Sequence, residues 1–226
     1  MNVNSTTAES PLSLPQPDGW LDSVDVMRDT GHMLWQRGWS VGTSSNYSVV
    51  ARREPLQLVV TASGKDKGHL ERHDFVLIND QGQPVFDGQP KSSAETMLHV
   101  VLAADPEVGA ILHTHSVWST LLSDYYFDQG HLLIEGYEML KGLAGITTHE
   151  TSHRVTIFEN TQDIPALAAE VQSRLDDPVE PLRHGFLIRN HGLYAWGRDL
   201  AEARRHIEIF EFLFEVLGRK LSFPSH

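Results

Sequence analysis

The feature that most constrains the fold is the close interleaving of two hydrophobic periods along the chain. Apolar residues recur every three to four positions in residues 21–37 and 199–221, which predicts amphipathic helices. Between such segments stand β-branched runs typical of strands, such as LQLVVTAS at 56–63 and VGAILHTH at 108–115. The sequence therefore predicts an α/β fold with helices packed on a mainly antiparallel sheet.

No linker interrupts this alternation after residue 20, so we expect a single domain over residues 20–226. Residues 1–19 are rich in Ser, Thr and Pro and are predicted to form a flexible N-terminal tail. Ser92 and Glu95 have capping-box spacing, which predicts a helix that opens at Ser92. FVLIND and GQPVFDG (75–88) favour a hairpin, whereas HLLIEGYEML (131–140) is compatible with helix or strand.

Composition excludes several classes of function. The 226 residues contain no cysteine, so disulfides and thiolate metal sites are impossible and any metal needs nitrogen or oxygen ligands. The net charge of −12 argues against a nucleic-acid partner. The N-terminus lacks a signal-peptide pattern, and no apolar run approaches the roughly 20 residues of a membrane span. We therefore expect a cytoplasmic protein with no membrane partner.

Two histidines mark the clearest candidate site. If AILHTH ends a strand, His113 and His115 project from the same face, because side chains two apart in a strand point the same way. Neutral imidazole is a common metal ligand, yet this short motif alone is also compatible with ordinary hydrogen-bonded histidines. His191 lies in a turn, between Asn190 and Gly192, which would present a third imidazole. Three histidines with one open position suit a catalytic zinc better than a structural one.

These motifs, taken together, resemble the class II aldolase and adducin family. HTHS (113–116) and RNHGLYAWG (189–197) match its metal-binding blocks, and GWSVGTSSNYSVV, VVTASGKDKGHL and KSSAETMLHVVLAADPEVGAILHTHS agree in order. The resemblance covers residues 20–221 and implies that His113, His115 and His191 bind Zn²⁺, although other divalent metals remain possible. It also implies a three-layer α/β fold with helices packed on both faces of the sheet. A homo-oligomer is implied as well, a tetramer in most family members, with active sites near subunit interfaces.

Within this family, SSNYS, TASGKDKGHL, SAETMLH and GYEMLKGL resemble the methylthioribulose-1-phosphate dehydratases of methionine salvage. The resemblance implies a phosphorylated ketose as substrate and dehydration to 2,3-diketo-5-methylthiopentyl 1-phosphate. Zinc would act as a Lewis acid on the ketone. Glu138, in the EMLKG segment, would be the catalytic acid/base, and its apolar surroundings predict a raised pKa.

Three loops rich in small and hydroxyl residues are the candidate phosphate site, because hydroxyls and backbone N–H groups bind anions. Each loop alone is equally typical of turns and caps, and Lys65 is a possible added charge. Aldolases of the family usually have Gly where Ser45 stands and often a second Ser where Ala94 stands. By resemblance the phosphate contacts are Ser45, Asn46, Ser63, Gly64, Ser93 and Ala94.

Two questions stay open at this level. Glu95 matches the acid/base carboxylate of the family's sugar-phosphate aldolases, but a capping box with Ser92 explains it equally well. Aldolase or pentulose-phosphate 4-epimerase activity is the alternative to dehydration, with the EMLKG segment as the discriminating feature. A non-catalytic, adducin-like binding module is a remote alternative, because this chain keeps all three histidines.

Overall fold

The computed structural model describes residues 20–223, so the predicted tail at 1–19 lies outside the described part of the chain. Its helices are α1 (Trp20–Gln36), α2 (Thr96–Ala103), α3 (Val117–Tyr125), α4 (Ile164–Leu175) and α5 (Leu200–Leu221). Its strands are β1 (Asn46–Arg52), β2 (Gln57–Thr61), β3 (Phe75–Asn79), β4 (Ala110–Thr114), β5 (His131–Glu135), β6 (Ser152–Phe158), β7 (Gly185–Ile188) and β8 (Gly192–Gly197).

The strands form one sheet in the order β3-β2-β1-β4-β8-β7-β6-β5. All neighbouring pairs are antiparallel except β6 and β7, which run parallel. Strand β4, which carries the H-x-H pair, lies in the middle between β1 and β8. The sheet is therefore mainly antiparallel, as the sequence predicts.

Two hydrophobic clusters cover the two faces of the sheet. One joins apolar residues of α1, α3 and α5 to the sheet, and we call this side the α5 layer. The other joins residues of α2 and α4 to the opposite face, and we call it the α2 layer. Alternation along β4 assigns Leu112 to the α5 layer and Ile111 to the α2 layer. The three-layer α/β arrangement is confirmed.

Several local predictions need correction. Helix α2 begins at Thr96, and the Glu95 side chain makes no capping hydrogen bond, so the predicted capping box with Ser92 is wrong. Only the first arm of the predicted hairpin is a strand; the second contributes an isolated bridge between Ile78 and Pro84. Proline lacks the N–H that would continue a ladder, which explains this interruption. The ambiguous segment divides into β5 and a 3₁₀ turn at Glu138–Gly142.

The helix ends at α1 and α3 agree with the sequence. Gly38 follows α1 with a φ of 75°, a conformation that favours glycine. The Ser116 hydroxyl accepts a hydrogen bond from the Ser119 N–H and caps α3, as predicted. Within residues 20–223, every helix is too short or too polar to cross a bilayer.

Candidate active site

The three predicted ligand histidines meet at one end of the sheet. His113 is the penultimate residue of β4, and His115 is the first residue after the strand. His191 lies in the short β7–β8 connection. Because β4 and β8 are antiparallel neighbours with Thr114 opposite Leu193, the β7–β8 connection reaches the end of β4. Residues almost 80 positions apart in the chain are thereby placed side by side.

Hydrogen bonding directs the free nitrogens of this triad toward one point. The fully buried His113 donates from Nδ1 to the Leu193 carbonyl at 3.0 Å, which leaves the lone pair on Nε2. That atom lies 2.8 Å from His115 Nε2 and 3.3 Å from His191 Nε2. Ligand nitrogens about 2.1 Å from a tetrahedral ion are ~3.4 Å apart, so the spacing is close to that of a metal shell.

The donor set of the triad fits a divalent cation. The three candidate ligand atoms lie within 4.8 Å of one another. Burial, followed by the neighbouring His115 and His191, holds the pKa of His113 well below its usual range. Burial, His191 and Lys67 lower the pKa of His115 to about 4. Metal ligation requires neutral imidazole, so both rings are in the ligating form at neutral pH.

The turn that carries His191 depends on the residues beside it. Asn190 adopts a φ of 52°, which asparagine tolerates better than most residues. At Gly192 the constraint is space: a Cβ atom there would lie 2.1 Å from the Thr114 carbonyl oxygen. Gly192 therefore permits β8 to approach β4 beside the triad.

Glu95 joins the triad from the start of α2. Its Oε1 lies 3.4 Å from His191 Nε2, and its Oε2 lies 3.5 Å from His113 Nε2. Oε2 also accepts hydrogen bonds from the Asn46 amide and the Tyr194 hydroxyl, each at 2.8 Å. The carboxylate is thus oriented by two donors at the site, a position suited to proton transfer rather than helix capping.

A buried hydrogen-bond chain stands behind Glu95. His99 donates from Nε2 to the Asn46 side-chain oxygen, and its Nδ1 accepts from the Ser48 hydroxyl at 2.7 Å. Burial lowers the pKa of His99 to about 3, so the ring is neutral. The Asn46 amide donates to Ser93 as well as to Glu95. Asn46, predicted as a phosphate contact, therefore uses both of its N–H groups to position protein side chains.

Tyr194 and His99 were missed by the sequence analysis. The Tyr194 ring stacks on that of His113 with centroids 4.0 Å apart, and its residue pairs with His113 across β4 and β8. A strand assignment with correct register would have found Tyr194. His99 lies one helical turn after Glu95, within the SAETMLH segment, but its position in the sequence is typical of any helix residue.

All six predicted phosphate residues line one cavity of about 470 Å³, together with His115, His191 and Glu95. The rest of the lining consists of Thr43, Ala62, and Thr161, Gln162, Ile164 and Pro165 at the N-terminal end of α4. Ser45 has a φ of 71°, the left-handed conformation that favours glycine. Its buried hydroxyl has no hydrogen-bond partner within residues 20–223, as expected of a group that meets a ligand.

Two lysines flank this cavity differently. Lys65 forms an ion pair with Asp74 at 2.8 Å and is not part of the lining, so its charge is already engaged. Lys67 is almost wholly buried and donates to the Lys65 carbonyl at 2.6 Å. Burial lowers its pKa to about 8, opposed by Asp66 and Asp74.

Glu138 lies away from this cavity in the same subunit. Its 3₁₀ turn packs through Leu140 and Leu143 into the α5 layer. The carboxylate is 65 % exposed and pairs with Lys141 and, at 3.3 Å, with His149. The hydrogen bond from Lys141 lowers the pKa of Glu138, so the predicted rise is wrong.

Comparisons with known proteins agree with this geometry. Residues 25–217 match the family model described as the class II aldolase and adducin N-terminal domain. A methylthioribulose-1-phosphate dehydratase from Xanthomonas campestris pv. campestris is 45 % identical over 93 % of this chain and 94 % of its own length. The enzyme of the same name from Marinobacter nauticus is 48 % identical over 83 % of this chain and 88 % of its own.

The fold also matches solved structures. An L-fuculose 1-phosphate aldolase superposes with a TM-score of 0.71 and 21 % identity, covering 90 % of this chain and 89 % of the aldolase. The match to the family model spans most of the chain, and the relatives align along nearly its whole length. The chain therefore belongs to the class II aldolase and adducin family.

Proposed function

We propose that this protein is a hydro-lyase that dehydrates 5-methylthioribulose 1-phosphate in methionine salvage. The observation that carries the proposal is the 45–48 % identity to dehydratases of that name over most of the chain. The aligned region covers 93 % of this chain and 94 % of the Xanthomonas campestris relative. The reaction removes a proton from C3 and the hydroxyl from C4 as water, and the enol left behind tautomerises to the 2,3-diketone.

The cavity offers a consistent placement for the substrate. Its phosphate would lie among the hydroxyls of Ser45, Ser63 and Ser93, with backbone N–H groups near Gly64 and Ala94. A divalent cation, for which we propose Zn²⁺, would be held by His113, His115 and His191 and supplies Lewis-acid stabilisation of negative charge on the ketose oxygens.

Glu95 is the carboxylate best placed in this subunit to move a proton. The triad and the Asn46 and Tyr194 donors fix it at the wall of the cavity, within reach of a substrate carbon beside the cation. We propose that Glu95 takes the C3 proton. This replaces the capping role that sequence spacing alone left open.

We propose that Glu138 acts in the cavity of a neighbouring subunit. Within one subunit it belongs to the α5 layer, whereas the cavity opens beside α2. Exposed apolar side chains lie next to both: Val117, Leu121 and Tyr125 along α3, which follows the H-x-H pair, and Met139 beside Glu138. Contact between these two patches in a homo-oligomer, a tetramer by family resemblance, would bring Glu138 toward a partner's triad.

The activity is tested by mass spectrometry of methylthioribulose 1-phosphate incubated with purified, zinc-loaded protein. Loss of one water from the substrate supports the proposal. Cleavage of a carbon–carbon bond would instead establish the aldolase alternative, which the position of Glu95 favours. An epimerised product of unchanged mass, separated by chromatography, would establish the epimerase alternative, and no reaction at all would contradict all three activities on this substrate.

Mixed oligomers test the position of Glu138. Glu138→Gln and His113→Ala chains, each inactive alone, are co-expressed with different tags and co-purified. If Glu138 acts across the interface, the hybrids regain activity, because one subunit supplies the metal and the other the carboxylate. Hybrids as inactive as their parents would contradict this arrangement, and the exposed Glu135→Gln serves as a matched control that should remain active.

A further inference from the structure

Helix α5 carries a carboxyl group in the hydrophobic interior, directly behind the metal centre. Glu211 is 2 % exposed and belongs, with Phe210 and Phe214, to the buried residues of α5. Carboxylates are almost never buried unless they have partners. Burial raises the pKa of Glu211 to about 8, so the group is a neutral acid at neutral pH.

The partners of Glu211 belong to the segment that carries the H-x-H pair. The Thr114 hydroxyl points to Glu211 Oε1 at 3.5 Å, and hydrogen bonding to the hydroxyls of Ser116 and Thr114 partly offsets the rise in pKa. Thr114 and Ser116 are both buried. The other oxygen, Oε2, has no partner among the described residues 20–223.

This contact lies on the reverse side of the metal ligands. His113 and Thr114 are consecutive in β4, so their side chains point to opposite faces: the imidazole to the α2 layer and the hydroxyl to Glu211 in the α5 layer. Ser116 also caps α3 through its hydrogen bond with Ser119. Glu211 therefore connects α5 to the end of β4 at Thr114, the residue between His113 and His115.

We propose that Glu211 is a positioning residue of the metal centre, which holds the Thr114–Ser116 segment so that His113 and His115 converge. The inference rests on the proposed metal triad and adds a residue to its support. Groups that orient ligands from behind commonly contribute 10–100-fold to metal affinity. A neutral hydrogen-bonding side chain of similar shape should be able to replace Glu211, whereas an apolar one should not.

The test compares Glu211→Gln with Glu211→Met, measuring Zn²⁺ affinity by chelator competition and ligand geometry from the spectrum of the Co²⁺-substituted protein. We expect Glu211→Gln to keep the spectrum and an affinity within about threefold of wild type, since its amide mimics a neutral acid. We expect Glu211→Met to lose about 10–100-fold in affinity and to alter the spectrum. Thr114→Val removes the facing hydroxyl and should weaken binding in the same direction.

Phe210→Leu is the matched control on the same helix. The Phe210 ring contacts His153 and approaches Gly185, at the far end of the sheet, so this variant should lose stability and retain metal affinity. Equal affinity in wild type, Glu211→Met and Thr114→Val would overturn the inference. A wild-type protein that binds no divalent metal would instead overturn the proposed metal site, so the two failures are distinguishable.

Discussion

The sheet has a cluster of three histidines at each end, and the two clusters differ in what their nitrogens do. The triad of His113, His115 and His191 lies where β4 ends. The second cluster, formed by His153, His184 and His206, lies where β6 and β7 begin. Ring centroids are 4.5–5.0 Å apart in the triad, and those of His153 and His206 lie 5.1 and 5.0 Å from that of His184 in the second cluster. Proximity of imidazoles alone does not separate the two.

Burial does not separate them either. Burial lowers the pKa of His153 to about 3 and that of His206 to about 4, much as it lowers the pKa of His115 to about 4. Both clusters therefore consist largely of neutral rings at neutral pH. A lowered histidine pKa reports desolvation and is no sign of a metal site by itself.

The difference lies in hydrogen bonding to the backbone. His206 uses both nitrogens, donating to the Trp196 carbonyl at 2.6 Å and accepting from the Ala144 N–H at 3.1 Å, and His184 donates to the Ala144 carbonyl. In the triad the backbone takes only Nδ1 of His113 and leaves its Nε2 facing the other two rings. Within the described residues, only the triad brings three candidate ligand atoms within 4.8 Å. The comparison teaches that convergent lone pairs distinguish the candidate metal site from a structural histidine cluster.

The largest expected effect separates the two clusters directly. His113→Ala should lose bound metal and at least about 10³-fold in turnover, because it removes the ligand that bridges the other two. His206→Ala should keep stoichiometric metal. Mass spectrometry measures the metal content of the two variants, and steady-state kinetics measures their turnover. A His113→Ala protein that keeps its metal and its activity would contradict the difference proposed between the clusters.

A smaller loss is expected when the triad is kept and its carboxylate is neutralised. Glu95→Gln retains the hydrogen-bonding shape but cannot accept a proton, so kcat should fall about 10²–10⁴-fold while metal content stays the same. Steady-state kinetics and metal analysis measure this. Full activity in Glu95→Gln would show that proton transfer depends on another group, with Glu138 the next candidate.

The second cluster should matter for stability. His206→Leu leaves the Trp196 carbonyl and the Ala144 N–H without a partner, which should lower the free energy of unfolding by about 2–4 kcal/mol. Denaturant titration measures the change, and chelator competition should give wild-type Zn²⁺ affinity. Loss of metal from a folded His206→Leu protein would mean that the two ends of the sheet are coupled.

Acid pH should weaken the fold through both clusters. In the folded state burial lowers the pKa of His115 and that of His206 to about 4. The unfolded chain therefore takes up protons first as pH falls below about 6.5, and stability is lost from there toward pH 4. His206 should contribute about 1–3 kcal/mol over this range. Urea titrations of metal-free protein at several pH values should show a shallower slope in His206→Gln, and an unchanged slope would contradict the assigned neutral state.

The smallest expected effect concerns the cavity wall beside the triad. Ser45→Gly relieves a left-handed non-glycine conformation and should raise the free energy of unfolding by up to about 1 kcal/mol. It also removes a hydroxyl proposed to contact phosphate, so KM should rise about 2–10-fold with little change in kcat. Thermal unfolding and kinetics check the two directions, and an unchanged KM would remove Ser45 from the phosphate site.

Local patterns predicted the fold well where one interaction dominates. The helical period identified α1 and α5, and Ser116 identified the start of α3, because apolar stripes and caps are local properties. The same reasoning failed at Ser92 and Glu95. These residues have the spacing of a capping box, but the Glu95 side chain accepts a hydrogen bond from Tyr194 of β8 and does not cap α2. Residue spacing alone cannot distinguish a capping carboxylate from an active-site carboxylate, because a glutamate at this position can adopt either role.

The sequence by itself determined the candidate ligand types, the strand whose end carries His113 and His115, and the family. Residue chemistry, spacing and ordered motifs are properties of the chain. Only the tertiary structure decided that His191, Tyr194 and Glu95 meet at that strand, that Glu138 lies in the opposite layer, and that Glu211 stands behind the ligands. These are contacts across strands and layers, fixed by sheet register and by the packing of α2 and α5, which no short stretch of sequence specifies.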